Sequence, residues 1–445
     1  MNHFPGFEKA EPFKVSPSAE DYGAPFSGEC LAPSHSGLSA PARKSYRVMM
    51  VAGEASGDLH GGALAEALYA KNPNLQITGF GGSAMKKAGV DVRFDIERLG
   101  VVGIFEVFLH LKAVMQAYQE AVQLLRGGVD LLVLIDYPDF NLRLAKAAKA
   151  IGTPVIYYIS PQIWAWRAGR IKTIAERVDR MLVILPFEKQ IYQSANIPCE
   201  FVGHPLLDEI KRLGPSSTSK GAYLKEKGLH PSGVTVGLLP GSRKREVMAL
   251  LPTMLRGMAL LSKQVPNLQI LIPVAPSLPK GLISELAQSY TCSVPSCPLP
   301  IRCVEGEVYD VLRASEVAVV ASGTATLQAA LAGTPMIIIY KLASTTYWLA
   351  RLLIHLESVG LVNIVAGVPF IPELIQKDAS PERICEEVRR LLTDEAAREE
   401  MKQGLKRVVG RLGTAGASDR AASVIDRFLE EFLPRRGGLQ REALF

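Results

Sequence analysis

Two segments in the second half of the chain have the residue types and spacing of anion-binding turns. Residues 238–243 read LLPGSR, and residues 321–326 read ASGTAT. In each, aliphatic residues typical of a buried strand lead into small residues and then a helix start. The free N–H groups and the positive dipole end of such a helix favour an anion, most readily a phosphate. The pattern predicts a nucleotide-activated substrate.

Specific residues in these turns are the predicted ligands of a nucleotide. Arg243, preceded by Gly241 and Ser242, is placed to clamp a diphosphate, although a solvated basic turn remains the alternative. One turn into the second helix, Gln328 could reach ribose hydroxyls. The predicted phosphate ligands of the second turn are Ser322, Gly323 and Thr324.

A carboxylate follows a different predicted strand in the first half of the chain. Asp136 ends the run LLVLI of residues 131–135. A carboxylate at the carboxyl end of a buried strand, partly removed from water, is a candidate general base. Asp139 could instead cap the helix that we expect to begin at Phe140.

The segment that follows the first strand, VAGEASGDLHGG at residues 51–62, is glycine-rich but is not GxGxxG. It therefore disfavours a nicotinamide enzyme. Glu54 would repel phosphates and suits a sugar hydroxyl better, and Ser56 is a candidate contact to the same ligand. Helix capping by Ser56 or Asp58 is the structural alternative.

Aromatic and basic residues cluster in YYISPQIWAWRAGR, residues 157–170. Trp166 and Arg167 are candidate contacts to sugar or acceptor, because aromatic faces pack on sugar or acyl surface and guanidinium groups bind phosphate. Structural packing of the tryptophans is equally open. His60 and His204 lie beside glycines, and we expect both to be structural rather than catalytic.

Length and composition indicate a two-domain α/β enzyme. The chain has 445 residues, 48% hydrophobic and 21% charged, and a single core seldom serves more than roughly 250 to 300 residues. No apolar run approaches the ~18 residues that cross a bilayer. A net charge of +6 is too mild to indicate nucleic acid, and six scattered cysteines without paired CxxC spacing indicate reduced thiols and no metal site.

The order of elements predicts two doubly wound parallel-sheet domains that face each other across a cleft. Residues 1–44 are expected to be disordered, 45–207 to form the first domain and 208–414 the second. A helix at about 415–435 is expected to rejoin the first domain, before a polar tail at 436–445.

The predicted helix from Phe105 to Leu125 carries an apolar stripe typical of a core-facing helix. Phe105 and Leu109 lie outside that stripe, beside Lys112. They leave apolar surface that could enter a lipid interface, so both possibilities remain open.

The chain closely resembles the lipid-A-disaccharide synthase family, inverting glycosyltransferases with the two-domain GT-B architecture of Rossmann-like domains. The resemblance rests on segments in order between Tyr46 and Phe432, among them AGEASGD, IDYPDFN, SPQIWAWR, LLPGSR, SGTATLQAALAGTPM and LVNIVAG. It implies transfer of 2,3-diacylglucosamine from its UDP derivative to 2,3-diacylglucosamine 1-phosphate. The implied products are the β-1,6 disaccharide 1-phosphate and UDP, formed without metal or cofactor.

The resemblance also implies roles for individual residues. Asp136 matches the family's essential carboxylate, Arg243 the arginine associated with the diphosphate, and Asn363 a binding-cleft asparagine. Arg167 and Arg170 are candidates for holding the acceptor's 1-phosphate. A peripheral enzyme on the cytoplasmic face of the inner membrane is implied, docking through a surface that maps to Phe105, Val107, Phe108, Leu111, Val114 and Met115.

Two features depart from the family pattern. Gln328 stands where the family usually has Glu, so the hydrogen-bonding capacity stays but the charge is lost. The first 44 residues have no counterpart. Two other functions are compatible with the pattern: a UDP-sugar 2-epimerase of the same architecture, and a non-catalytic nucleotide-sugar or lipid-binding protein.

Overall fold

The computed structural model describes residues 43–96, 106–166, 169–214, 218–293, 299–341 and 358–442. Within them the chain forms two compact units. The first ends at Asp208 and resumes at Thr414, and the second runs from Glu209 to Gly413. No helix among the described residues combines the length and apolar character needed to cross a membrane.

The first unit is built on a seven-stranded parallel sheet in the order β3-β2-β1-β4-β5-β6-β7. The bounds are β1 Arg47–Ala52, β2 Gln76–Gly81, β3 Asp91–Asp95, β4 Leu131–Ile135, β5 Val155–Tyr158, β6 Arg180–Val183 and β7 Cys199–Phe201. Successive strands wind outward from β1 in one direction and from β4 in the other. The carboxyl ends of β1 and β4 therefore form a topological switch point, where ligands bind in folds of this class.

Helices cover both faces of this sheet, which is why β1 and β4 consist almost wholly of buried aliphatic residues. Their bounds are α1 Ala55–Lys71, α2 Ser83–Lys87, α3 Glu106–Arg126, α4 Pro138–Ile151, α5 Ile163–Trp166, α6 Arg170–Arg177, α7 Pro186–Ser194 and α8 Leu206–Leu213. The last of these contains the boundary between the units.

The second unit is built on a six-stranded parallel sheet in the order β10-β9-β8-β11-β12-β13. The strands are β8 Val234–Leu239, β9 Leu268–Val274, β10 Ile301–Glu305, β11 Val317–Ala321, β12 Met336–Tyr340 and β13 Glu373–Ile375. The helices are α9 Lys220–Glu226, α10 Lys244–Ser262, α11 Leu282–Ser293, α12 Val308–Ala314, α13 Ala325–Ala332, α14 Leu361–Ala366, α15 Pro381–Thr393 and α16 Glu395–Arg411. Here the switch point lies between β8 and β11. The predicted fold class, doubly wound α/β domains of the GT-B kind, is confirmed.

The last helix, α17 at Ala417–Glu442, packs against α1 in the first unit. Its residues Ala421, Ile425 and Leu429 are fully buried among strand residues of that sheet. The helix continues through most of the segment expected to be a polar tail. Arg43, inside the segment predicted to be disordered, forms an ion pair with Asp426 of this helix at 3.1 Å. Residues 1–42 of that predicted extension lie outside the described residues.

Candidate functional site

The switch point of the first unit brings together the loops that follow β1 and β4. A Cβ atom added to Gly53, after β1, would lie 2.1 Å from the ring Cγ of Tyr137, after β4. Any side chain at residue 53 would therefore collide with the tyrosine ring. This close approach is the physical reason for a glycine in the segment AGEASGD.

The candidate base Asp136 stands in a strained turn directly after β4. Asp136 and Tyr137 have φ values of 47° and 48°, in the left-handed region that non-glycine residues seldom occupy. The main-chain carbonyl of Asp136 accepts hydrogen bonds from the Tyr157 hydroxyl at 2.5 Å and from Asn141 Nδ2 at 2.7 Å. These contacts hold the backbone so that a half-buried carboxylate stands at the carboxyl edge of the sheet.

Acidic groups surround the ring of Tyr137. The pKa of the Tyr137 hydroxyl is raised, first by partial burial and then by the charges of Glu54 and Asp139. The structure therefore places Glu54, a candidate sugar contact, at the same edge as Asp136. Ser56 is exposed in the first turn of α1. A carboxylate-rich, solvent-accessible edge suits hydroxyl groups and disfavours phosphates.

The capping alternative for Ser56 and Asp58 is wrong for α1. The N-cap residue of that helix is Glu54, and Ser56 and Asp58 lie inside its first turns. Asp58 is instead buried and accepts the backbone N–H groups of Gly82, Ala84 and Met85 at 2.6, 2.9 and 3.0 Å. It thus caps the short helix α2. A buried carboxylate that is fixed by three N–H groups is structural.

The capping prediction for Asp139 is also wrong, because α4 begins at Pro138 and its N-cap residue is Tyr137. Asp139 forms an ion pair with Arg170, a residue considered for the acceptor's phosphate. The pair links α4 to α6. Arg170 could bind a phosphate only in competition with this carboxylate.

The aromatic segment after β5 is partly structural. Trp164 packs edge-to-face on Phe187, with ring centroids 5.1 Å apart, and donates its Nε1–H to Glu188 at 3.2 Å. Glu188 also accepts the N–H of Leu185 at 3.1 Å. Burial raises the pKa of the Glu188 carboxyl to about 7. Trp164 is therefore a packing residue, whereas Arg167 and the Trp166 side chain lie outside the described residues.

His204 is structural, as expected. Its side chain is buried and its Nδ1 accepts the N–H of Leu206 at 3.2 Å. Burial, with a further contribution from His60, lowers the pKa of His204 to about 3. A neutral imidazole in such packing has no role as an acid near neutral pH.

In the second unit, Arg243 is the residue immediately before α10. Its guanidinium is largely exposed and pairs with Glu246 at 3.2 Å, in the first turn of that helix. Gly241 has a φ of 110°, which a residue with a side chain adopts only under strain. The carbonyl of Ser242 accepts a 2.9 Å hydrogen bond from Ser277, so the loop after β9 supports this turn. Arg243 is thus an exposed cation on a braced turn at the switch point.

The neighbouring turn follows β11 and is held by its own hydroxyl groups. Ser322 Oγ donates to the carbonyl of Val359 at 2.7 Å, and Thr326 Oγ1 donates to the carbonyl of Gly323 at 2.8 Å. Gly323 has a φ of 146°, and no atom lies within 4 Å of its Cβ position. The Ser322 hydroxyl is therefore engaged with the protein, while Thr324 is exposed. Backbone N–H groups at this turn are the better candidates for phosphate.

Gln328, in α13, lies beside the buried hydroxyl of Tyr309. Burial raises the pKa of that hydroxyl, so Tyr309 stays protonated at neutral pH. Gln328, the predicted ribose contact, is half-buried.

Asn363 in α14 is buried, and both ends of its amide are engaged. Its Nδ2 donates to Ile371 O at 2.9 Å and to Glu373 Oε1 at 2.8 Å, and its Oδ1 accepts from Phe370 and Ile371. Asn363 therefore stabilises the contact between α14 and residues 370–373. Sequence reasoning missed its partner Glu373, because a lone Glu at the start of a short strand carries no distinctive motif.

The apolar helix α3 is only partly core-facing. Ala117, Ala121 and Leu125 are buried, but Met115, which falls on the predicted core stripe, has 53% of its surface exposed. Val114 is half-buried against the core. Phe105 and the side chains of Val107, Phe108 and Leu111 lie outside what the structure describes.

The family model and the curated relatives that match this chain all name one family. A model of the lipid-A-disaccharide synthetase family matches residues 48–426. The lipid-A-disaccharide synthase of Syntrophus aciditrophicus is 45% identical over 381 residues, covering 85% of this chain and 96% of the relative. That of Geobacter sulfurreducens is 43% identical over 382 residues, covering 86% of this chain and 97% of the relative.

Solved structures share the fold at much lower identity. A UDP-GlcNAc 2-epimerase from Neisseria meningitidis, bound to UDP-GlcNAc, matches with a TM-score of 0.59 and 12% identity, covering 85% of this chain and 99% of its own. A UGT transferase from Siraitia grosvenorii in complex with UDP matches with a TM-score of 0.55 and 14% identity, covering 87% and 100%. At such identities the likeness establishes the fold alone.

Proposed function

The chain belongs to the lipid-A-disaccharide synthase family, and from this premise we propose the reaction that it catalyses. It transfers 2,3-diacylglucosamine from UDP-2,3-diacylglucosamine to the 6-hydroxyl of 2,3-diacylglucosamine 1-phosphate. The acceptor oxygen forms a bond to the anomeric carbon as the bond from that carbon to UDP breaks, with inversion. The products are the β-1,6 disaccharide 1-phosphate and UDP.

Asp136 is the proposed general base for the acceptor hydroxyl. The observation that carries this proposal is its strained, doubly hydrogen-bonded backbone at the switch point of the first unit. Such strain persists only where the surrounding structure enforces it, and it concentrates at functional sites. The proton of the 6-hydroxyl passes to the carboxylate as the new bond forms.

UDP is proposed to bind at the switch point of the second unit. Arg243 would pair with the diphosphate, whose charge grows as it leaves, in exchange for its contact with Glu246. The N–H groups around Gly241 and Ser242, and those of Gly323 and Thr324, would hold phosphate oxygens. The N–H of Ser322 itself donates to the carbonyl of Ile339 at 3.1 Å. Gln328 is the proposed ribose contact.

The sugar and acceptor contacts are proposed at the acidic edge of the first unit. Glu54 and Ser56 would accept or donate hydrogen bonds to sugar hydroxyls, and Trp166 and Arg167 remain candidates from the sequence. Asn363, with its amide engaged on all sides, would act by positioning rather than by touching substrate.

Because both proposed substrates are lipids, we propose that the reaction takes place at a membrane surface. The protein would dock there through the amino-terminal part of α3. The exposed side chain of Met115 supports this placement. The proposed location is peripheral, on the cytoplasmic face of the inner membrane.

Release of UDP in detergent tests the proposed reaction. UDP should form only when donor and acceptor lipids are both present, and it should form equally with a chelator added. Conversion of soluble UDP-GlcNAc without an acceptor would instead favour an epimerase, which membership of the disaccharide synthase family disfavours. Binding of either ligand without any turnover would favour a non-catalytic protein.

A further inference from the structure

The six-residue helix α14 is held in place by three side chains of the second unit. Arg411 Nη1 donates to the carbonyls of Val365 and Ala366 at its carboxyl end, at 3.0 and 2.6 Å. Asn363, in the middle of the helix, forms hydrogen bonds with the carbonyl and the N–H of Ile371. So short a helix is unstable by itself, so its position depends on these contacts.

The third of these side chains is the half-buried carboxylate of Glu373, at the start of β13. Its Oε2 accepts the N–H of Val359 at 2.8 Å, and its Oε1 accepts the N–H of Gly360 at 3.0 Å and Asn363 Nδ2 at 2.8 Å. A Cβ atom on Gly360 would lie 2.4 Å from Ile338 Cδ1 and 3.1 Å from Glu373 Oε1. The carboxylate thus has three donors in a space that only glycine leaves open.

The same residues reach the turn after β11. Val359 donates its N–H to Glu373 and accepts the Ser322 hydroxyl at its carbonyl, 2.7 Å away. One residue, Val359, therefore lies between the carboxylate and the turn. Loss of the carboxylate would leave the N–H of Val359 and that of Gly360 without this acceptor, and the carbonyl that holds Ser322 would shift with them.

We propose that Glu373 is a positioning residue for UDP, which fixes the turn from Ser322 to Thr324 through Val359 and orders α14 through Asn363. The inference rests on the proposed function, in which this turn holds phosphate. It assigns to Glu373 a part in donor binding, although β13 lies three strands away from β8, the strand that precedes Arg243. Glu373 touches no substrate; its effect passes through the peptide at Val359.

Glu373→Gln is the test variant, because it keeps size but turns one acceptor oxygen into a donor facing an N–H group. We expect the dissociation constant of UDP, measured by calorimetry on the folded protein, to rise about tenfold. The KM for the donor should rise with it, while the KM for the acceptor stays within about twofold. A role in stability alone would lower the melting temperature without this split.

Glu316→Gln is the matched control, at the end of β11 opposite to Ser322. Glu316 directly precedes β11, accepts the N–H of Thr235 at 2.7 Å and pairs with Lys220. Its replacement removes a comparable carboxylate acceptor from the second unit. This acceptor lies at the amino end of β11, whereas Ser322 follows the carboxyl end. UDP affinity should stay within about twofold of wild type.

Ser322→Ala supplies a second route to the answer if Glu373→Gln folds poorly. It removes the hydroxyl at the other side of Val359 and should also weaken UDP about tenfold. Because both changes break one link, the double variant should bind no more than a few fold more weakly than either single variant. Independent effects would multiply to about a hundredfold, which would overturn the link.

The failure of this inference is distinguishable from that of the proposed function. If the wild-type chain binds UDP and Glu373→Gln binds it equally well, the positioning role is wrong and the proposed function stands. If the wild-type chain does not bind UDP, the proposed function fails and this inference fails with it.

Discussion

The hydroxyl of Tyr157, the third residue of β5, donates a 2.5 Å hydrogen bond to the main-chain carbonyl of Asp136, the residue that follows β4. Burial raises the pKa of this hydroxyl well above its ordinary value, and the negative charge of Asp136 raises it further. Tyr157 therefore remains a proton donor throughout the accessible pH range. A tyrosine inside the sheet fixes the geometry of a carboxylate at its edge.

Replacement of Tyr157 by Phe should slow turnover without affecting donor binding. The left-handed backbone at Asp136 loses one of its two side-chain donors, so the carboxylate is held less firmly. We expect kcat to fall at least tenfold, UDP affinity to be unchanged, and stability to drop by about 1 kcal/mol. Steady-state kinetics and denaturant unfolding measure these quantities.

The matched control is Tyr158→Phe, the next residue of the same strand. Its hydroxyl is buried beside Ser418 in α17, on the other face of the sheet. It removes the same hydroxyl group from the neighbouring ring and should leave kcat within about twofold. Equal losses of kcat in both variants would mean that Tyr157 acts on the fold rather than on Asp136.

The central strands of both units were predictable from the sequence, but the edge strands were not. β4, LLVLI, is a buried run that coincides with the strand predicted at residues 131–135. MIIIY of β12 is a continuous apolar run of the same kind. β3 and β10, DVRFD and IRCVE, alternate polar and apolar residues and lie at sheet edges. A strand exposed on one face gives a weaker signal than one covered on both.

The positions of the motifs at strand ends were predictable, whereas the partners of the side chains were not. Asp139 and Asp58 both looked like caps of the nearest helix. One pairs with Arg170 and the other caps α2, which begins 25 residues further along the chain. Glu373 had no motif at all. Contacts between distant residues depend on tertiary packing, which local patterns do not specify.

The pH dependence of stability should carry the signature of Glu188. Its folded-state pKa is raised from 4.5 to about 7, so between these values the folded protein binds more protons than the unfolded chain. The contribution of this group to stability is therefore greatest below pH 4.5 and falls as the pH rises to about 7. Linkage puts the total at roughly 3 kcal/mol at most.

Comparison with Glu188→Gln isolates this effect. The difference in unfolding free energy, wild type minus variant, should decline with rising pH up to about 7 and then level off. His204 has the opposite sign, because its lowered pKa makes its contribution fall as pH drops from 6.5 towards 3, and it cancels in the difference. A difference that is flat with pH would contradict the raised pKa of Glu188.

Gln328→Glu should strengthen UDP binding. A carboxylate accepts ribose hydroxyls through charge-assisted hydrogen bonds, which contribute about 1 kcal/mol more than neutral ones. We expect an approximately fivefold lower dissociation constant by calorimetry at pH 8. Gln288→Glu, at an exposed position in α11 of the same unit, adds the same charge and should leave the dissociation constant of UDP unchanged. Weaker binding in Gln328→Glu would place the ribose elsewhere.

Met115→Gln should weaken attachment to lipid vesicles. Burial of the exposed part of this side chain in an acyl layer is worth about 1 kcal/mol, or roughly fivefold in partitioning. Sedimentation with vesicles of anionic phospholipid measures the change. Met248→Gln is the control, because Met248 lies in α10 of the second unit with 48% exposure against 53% for Met115. Equal partitioning of wild type and both variants would remove α3 as the docking surface.

The central claim is that a carboxylate of the first unit activates the acceptor while the second unit holds UDP. The most direct test is the rate of disaccharide formation by Asp136→Asn, measured alongside its UDP affinity. We predict a rate at least about 100-fold below wild type, as the loss of a general base requires, with the dissociation constant of UDP within twofold. A variant that keeps more than about a tenth of the wild-type rate, or that loses UDP binding in step with activity, would contradict the account.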